Sequence, residues 1–304
     1  MRNTLYVVLI FTSFMLHGQV PWVFNPSSST GIESHDNIAF GSYSIAMGYF
    51  SEARGDYSTA MGELTLARRY ASTAMGSYTL ATGDYSTAMG SMTEAKGDYS
   101  TAMGINTLAE GKYSTAMGHT NVTFGDYSTA MGLHNTPQEY GTTIIGVYST
   151  IDATANRTNF DLSNRALVIG NGNPAIKSDA MTVLFDGTTN IAGDLTVNSD
   201  VRLKSNISSL GNTLPLIKML DGKTYNLKNN ESQEKIGLLA QDVQEIFPQL
   251  VREASDDQGT LSLNYQGLIP VLINAVNEQQ EIIDKQQEQI DELKILIESL
   301  IERK

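Results

Sequence analysis

Ser199 and Lys204 lie five residues apart in the stretch NSDVRLKSN, residues 198–206. A serine hydroxyl becomes a useful nucleophile only beside a base. The four histidines (His17, His35, His119, His134) all lie far upstream and there is no cysteine, so the base within reach in the chain is an amine. Serine–lysine pairs are a known variant of the serine–histidine arrangement. A lysine ordinarily titrates near about 10.4, so it acts as a base at neutral pH only where burial or neighbouring cations strip its proton. Arg202, and copies of both basic residues from other chains, are the cations at hand. The same stretch also reads as a polar linker. Spacing alone leaves both readings open.

The elements that must position this pair follow from composition and pattern. The chain has 304 residues and a formal charge of −13, which argues against a nucleic-acid or anionic-membrane partner because those need a basic face. The absence of cysteine removes disulfides and thiolate metal sites, leaving packing or self-association to supply stability. No cofactor and no metal site is expected. The opening MRNTLYVVLIFTSFMLHGQ reads as a secretory signal over residues 1–18, with Arg2 before an apolar run from Leu5 to Leu16. An uncleaved anchor is the alternative, although the run is short for a span of about 20 residues. A lipoprotein anchor is excluded because no cysteine follows. After this segment and a stretch over 19–40, the mature chain is expected to be secreted or held at the cell surface.

Residues 41–138 carry seven copies of one phrase at a spacing of 14, among them GSYSIAMG (41–48), RYASTAMG (69–76), GKYSTAMG (111–118) and GDYSTAMG (55–62, 83–90, 97–104 and 125–132). Such self-similarity means stacked units that bury a face only against their neighbours. Fourteen residues make one coil of two short strands and two turns. The glycines at repeat positions one and eight are expected to mark the turns, where positive φ is cheap. Within YSTAM, Ser and Ala fall on one side and Tyr, Thr and Met on the other. The small side suits the inside of a thin coil. The Met rank (Met47 to Met131) is expected to be covered by other chains. Aspartates at position two (Asp56, Asp84, Asp98, Asp126) lack the surrounding pattern of calcium β-rolls and read as turn residues. The threonine rank lacks a paired ice-binding face, and the tyrosine rank reads as packing between coils before it reads as a sugar platform.

This block resembles the head repeats of trimeric autotransporter (YadA-like) adhesins. The resemblance implies a left-handed parallel β-roll with three chains side by side. That family's membrane β-barrel has no counterpart through Lys304, so anchoring by that route is not expected. The neck, residues 139–198, loses the period but keeps β-branched runs such as RALVIGNG and AMTVLFDG, as hairpins or as wider coils. Asn121 and Asn156 each open a weak glycosylation sequon.

Beyond Ser199, a helical stripe (Leu210, Leu214, Ile217) is expected to end at Asp221–Gly222. Two strands, KTYNLK and EKIGLLA, follow across Asn229–Asn230. A short helix, QDVQEIF, stops at Pro248, and a long helix then tolerates Pro270 in its first turn. The long helix carries heptads over 269–304, with Ile269, Val276, Ile283, Ile290 and Ile297 at a and Leu272, Gln279, Gln286, Leu293 and Leu300 at d. Self-association is favoured, and the heptads alone leave the number of chains open.

From SDVRLKSNI through IGLLAQDVQEIFPQLV to LNYQGLIPVLINAV, residues 199–278 resemble the intramolecular chaperone domain of phage endosialidases and tail spikes, which also occurs in the myelin regulatory factor. The resemblance implies a domain that trimerises, drives assembly of the β-structure before it and then cuts itself off. It makes Ser199 the nucleophile, Lys204 the general base and Asn198–Ser199 the scissile bond. The expected whole is mainly β followed by α+β: a β-roll head, a β-rich neck and a small α+β chaperone domain ending in a trimeric coiled coil. Its partners are two further copies of itself and a host or environmental surface ligand, protein or carbohydrate. The alternatives are an uncut structural trimer and a carbohydrate-binding spike.

Overall fold

A computed structural model describes residues 23–24, 31–228 and 230–302. The expected signal, residues 1–18, lies outside the described residues, as do 19–22 and 25–30. The chain divides into two compact units, Met1–Thr196 and Val197–Lys304.

The first unit is a β-solenoid. Each fourteen-residue coil contributes a five-residue strand such as Thr87–Ser91 and a two-residue strand such as Leu80–Ala81. The long strands pair in parallel with the next coil in strict register, Thr87↔Thr101 and Met89↔Met103, and the short strands do the same, Leu66↔Leu80. The expected coil of two strands and two turns is what forms. Its interior is made only of small groups: Ser58, Ala60, Thr65 and Ala67 have at most 1% of their surface exposed, and the pattern repeats in each coil. The Met rank faces outward and is half-buried up to Met117, with Met131 more exposed.

The expected role of glycine is split: the position-one glycines open a turn, as Gly55 does by accepting from the Ser58 N–H at 3.1 Å, without positive φ, and the position-eight glycines have positive φ inside a strand. Left-handed corners recur every seven residues from Asp36 to Tyr148, with φ between 48° and 72°, and apart from Gly141 they are not glycine. Tyr57, Leu64, Tyr99 and Asn106 are typical. A left-handed non-glycine residue costs about 1–2 kcal/mol. Here the corner N–H groups of Tyr57 and Leu64 are paired to the preceding coil, donating to the carbonyls of Ser42 and Tyr49 at 2.8 Å each. The rings then stack over the corner: Tyr85–Tyr99, Tyr99–Tyr113 and Tyr113–Tyr127 have centroids 4.8–4.9 Å apart and planes within 9° of parallel. Glycine at both repeat positions also answers the approach of one coil to the next, although Arg69 takes position one in the third repeat. A Cβ on Gly97 would sit 2.1 Å from the carbonyl oxygen of Gly111, and one on Gly90 would sit 2.0 Å from that of Gly104. Gly90 is inside a strand, with φ of 122°.

The position-two aspartates are spent between coils. Asp56 accepts from the Ser42 N–H and Asp126 from the Lys112 N–H, both at 2.8 Å. Asn121 is fully buried rather than displayed as a glycosylation acceptor. Its amide donates to the Gly132 carbonyl at 2.9 Å and accepts from the Asn135 N–H at 2.8 Å.

Past residue 138 the neck does both things that its sequence left open. Thr143–Val147 extends the solenoid in register (Thr129↔Thr143), and Arg165–Asn171 adds a wider coil (Thr143↔Leu167). The sheet then reverses into antiparallel pairings with Asp179–Leu184 and Thr189–Ile191. The interior enlarges from Ala130 to Ile144 and Val168, all fully buried. Beside them Arg165, its side chain 8% exposed, pairs with the fully buried Glu139 and lies 3.5 Å from Asp179. The Arg165 Nη1 also donates to Thr150 Oγ1 at 3.0 Å.

Among its described residues the second unit holds three α-helices. These are α1 (Leu214–Ile217), α2 (Ala240–Ile246) and α3 (Leu268–Glu302), with antiparallel pairs Lys223–Leu227/Asn230–Gly237 and Val251–Glu253/Leu261–Leu263 between them. The stripe expected from Leu210 gives only one turn, because Gly211 is left-handed at φ 73° and Pro215 belongs at a helix start. The core is Val243, Phe247 and Val271, packed by Leu216, Ile217, Ile246, Leu250 and Leu263. Pro270 sits in the first turn of α3, as expected. Beyond Ala275 no α3 residue through Glu302 is buried. The a and d residues Ile283, Ile290, Leu293 and Ile297 are 47–57% exposed along a rod of about 52 Å.

Two substitutions test this account. Gly97 has no left-handed φ, so a purely conformational role for glycine predicts that Gly97→Ala is tolerated. Close approach of coils predicts a loss of about 1–3 kcal/mol in a denaturant titration. Arg165→Met strands Glu139 and should cost about 3–5 kcal/mol in the same titration. Arg54→Met, in the exposed pair with Glu52, should cost no more than about 1 kcal/mol.

Candidate functional site

Asp200 opens the local structure that brings Ser199 and Lys204 together. Its carboxylate Oδ1 accepts from the Arg202 N–H at 2.8 Å, starting a single 3-10 turn over Val201–Leu203. Short polar side chains close such turns on the backbone two residues ahead. The Leu203 N–H donates to the Asp200 carbonyl at 3.0 Å and the Lys204 N–H to that of Val201 at 3.1 Å. A turn this tight folds the chain back within five residues. The Lys204 Nζ donates to the Ser199 Oγ at 2.7 Å.

The direction of that hydrogen bond matters chemically. A protonated amine donates to the hydroxyl, whereas base catalysis needs the reverse, a neutral amine accepting the hydroxyl proton. Dry surroundings favour the neutral amine. Asn198, Ser199 and Lys204 are all exposed in the single chain, and so are the apolar neighbours Val197, Val201 and Leu203 at 66–71%. Arg202, expected to press on the lysine as a cation, is instead answered locally by Asp200. Its Nε lies 3.0 and 3.1 Å from the two carboxylate oxygens and its Nη2 lies 2.5 Å from Oδ2. The guanidinium, with the Arg202 N–H, holds the Asp200 carboxyl below its ordinary range.

The segment after Lys204 runs exposed to Thr213, where α3 takes hold of it. Glu278, one turn beyond the last buried residue of α3, accepts from the Thr213 N–H at 2.6 Å, the Thr213 hydroxyl at 3.1 Å and the Leu214 N–H at 2.9 Å. Thr213 is 1% exposed. A carboxylate at a helix start satisfies donors that have no partner within the helix. These bonds, that from the Thr213 N–H foremost, hold the Glu278 carboxyl below its ordinary value. The Ser-Asp-x-Arg spacing carries a legible signal for the Asp200 turn. Nothing in the sequence announced Glu278, which lies 65 residues from Thr213.

The pH dependence follows with a definite sign. A glutamate in an unfolded chain titrates near about 4.3. With its folded value lowered, Glu278 contributes stability that is full above the unfolded value and is lost as pH falls through the folded one. Glu278→Gln should therefore lower the unfolding midpoint at neutral pH and flatten the decline below about pH 4. Helical circular dichroism followed through a thermal melt measures this, because the described α-helices lie in the second unit.

Comparison with known proteins places both units. Residues 199–252 match the family model described as chaperone of endosialidase, with Ser199 its first matched residue. Residues 39–63 through 109–135 match the YadA head domain repeat in six overlapping stretches. Similar curated proteins are the long tail fiber proteins Gp37 of Salmonella phage S16 and Escherichia phage AR1. The first is 31% identical over 115 residues, covering 35% of this chain and 15% of that protein. The second is 33% identical over 100 residues, covering 31% and 9%. The chain thus matches only a small part of the length of these relatives. It joins stretches that match the YadA head repeat to a segment that matches the chaperone of endosialidase and contains both Ser199 and Lys204.

Proposed function

We propose that this chain is an exported, fibre-like homotrimer whose C-terminal unit gathers three copies, aligns the solenoids and then cuts itself free between Asn198 and Ser199. The observation that carries the reading is the Lys204–Ser199 hydrogen bond at the start of the matched chaperone segment. The exposed heptad stripe of α3 supports gathering of copies, since a lone helix rarely keeps isoleucine or valine at each a position in water. Pairing strands of three chains in register is slow because the contacts are non-local, and an associated tail raises the local concentration of the heads. Removing the tail afterwards makes loss of the assembly hard to reverse and protects it kinetically.

The chemistry balances with one water. The Ser199 Oγ attacks the Asn198 carbonyl carbon while its proton passes to the Lys204 amine. The C–N bond breaks, the proton moves to the departing Ser199 nitrogen, and an ester joins Asn198 to the Ser199 oxygen. Water then hydrolyses the ester, leaving a carboxylate on Asn198 and a free amino terminus on Ser199. The head, at the surface or in the medium, would meet a protein or carbohydrate ligand.

The exposure of Ser199 and Lys204 favours the second reading, a trimer that keeps its tail, unless association covers the pair. Denaturing electrophoresis with N-terminal sequencing decides between them. Self-cutting gives a fragment that begins at Ser199 and contains 106 residues (304 − 199 + 1). Ser199→Ala and Lys204→Ala should abolish it and leave a trimer whose native mass includes the three tails. Spontaneous asparagine cleavage would survive in Ser199→Ala. An intact wild-type chain would leave the structural trimer.

A further inference from the structure

We propose that Asp200 is a positioning residue for the cut. Its carboxylate, by closing the turn on the Arg202 N–H, delivers Lys204 onto Ser199, and its pairing with the Arg202 guanidinium is secondary. This rests on the self-cutting reading. The sequence of contacts supports it. Asp200 directly follows the nucleophile, its Oδ1 takes the Arg202 N–H at 2.8 Å, and the turn it closes ends at Lys204, whose Nζ reaches Ser199 at 2.7 Å. The pair itself is exposed, so among the described residues no packed wall holds the lysine in place. The geometry depends on the turn. A carboxylate oxygen at this position is interchangeable with an amide oxygen as a backbone acceptor, but an amide cannot hold a guanidinium by charge. The two roles of Asp200 therefore separate cleanly.

Pulse–chase of the full chain compares Asp200→Ala, Asp200→Asn and Arg202→Gln, with chemical cross-linking confirming that each forms the same number of chains per assembly as the wild type. Loss of the turn acceptor in Asp200→Ala should slow cutting by about 3- to 30-fold, as for other backbone caps. Asp200→Asn, which keeps the acceptor, should stay within about twofold of wild type, and Arg202→Gln within about threefold. Cutting by Asp200→Ala at the wild-type rate overturns the proposal. So does Asp200→Asn falling to the level of Asp200→Ala, which would assign the effect to charge.

A second measurement does not need the cut. In a Ser199→Ala background that stays whole, millisecond hydrogen exchange over residues 199–206 should accelerate with Asp200→Ala and not with Asp200→Asn. If the wild type is never cut, the self-cutting reading fails, and the exchange result still decides whether Asp200 holds the turn. Equal exchange in all three chains overturns it.

Discussion

The head depends on how closely one coil approaches the next. Strands of a parallel ladder lie about 4.8 Å apart, and here the approach is so tight that a Cβ on Gly90 or Gly97 would meet the carbonyl oxygen of the next coil at 2.0 or 2.1 Å, with Arg69 standing at position one in the third repeat. From that limit the other features follow. The interior of the repeats is thin and takes Ser, Thr and Ala, with Asn37, Asn121 and Asn135. Larger side chains are driven outward, where they form ranks, and the aromatic ones stack because the coil spacing coincides with the thickness of a ring pair. Stability is therefore spread along the ladder as repeated small contributions instead of being concentrated in a large apolar core.

The second unit is organised by a different shortage. Its core is small, centred on Val243, Phe247 and Val271, and α3 runs on for most of its length without cover. A helix of that length with isoleucine on one face is stable only when something lies against it. The serine–lysine pair has the same incompleteness. The turn at Asp200 supplies proximity, yet the pair stands exposed to water. Geometry is thus built into one chain, while the dryness that the chemistry requires has to come from association in the proposed function. In the proposed function this division of labour would make a premature cut slow without any separate inhibitor.

Much of this was legible in the residues, and the limits of legibility have physical reasons. The fourteen-residue coil, the alternation of Ser and Ala with Thr and Met, the stop at Pro248 and the entry at Pro270 are local patterns, and local patterns survive translation into structure. The role of glycine was read only in part, because turn placement, positive φ and close approach select the same residue; only coordinates show that Tyr57 and Leu64 carry the left-handed corners. The true half-period of seven was hidden because the two halves of each coil share only a small-residue pattern, with Ser58 and Ala60 matched by Thr65 and Ala67. Buried Glu139–Arg165 and the hold of Glu278 on Thr213 join residues 26 and 65 positions apart. No spacing rule reaches that far. Around Lys204, sequence proximity suggested a cation in Arg202, and Asp200 claims that charge first.

The two halves of a coil are alike inside but unequal in strand length, five residues against two. Loss or gain of seven residues by unequal recombination would therefore keep every small group inward while setting a long strand beside a short one, breaking the ladder. A change of fourteen would leave each neighbour facing its own kind. Head length in descendants of such a gene should drift in whole coils, and the outward ranks are free to diverge at each step because the interior does not register what they carry.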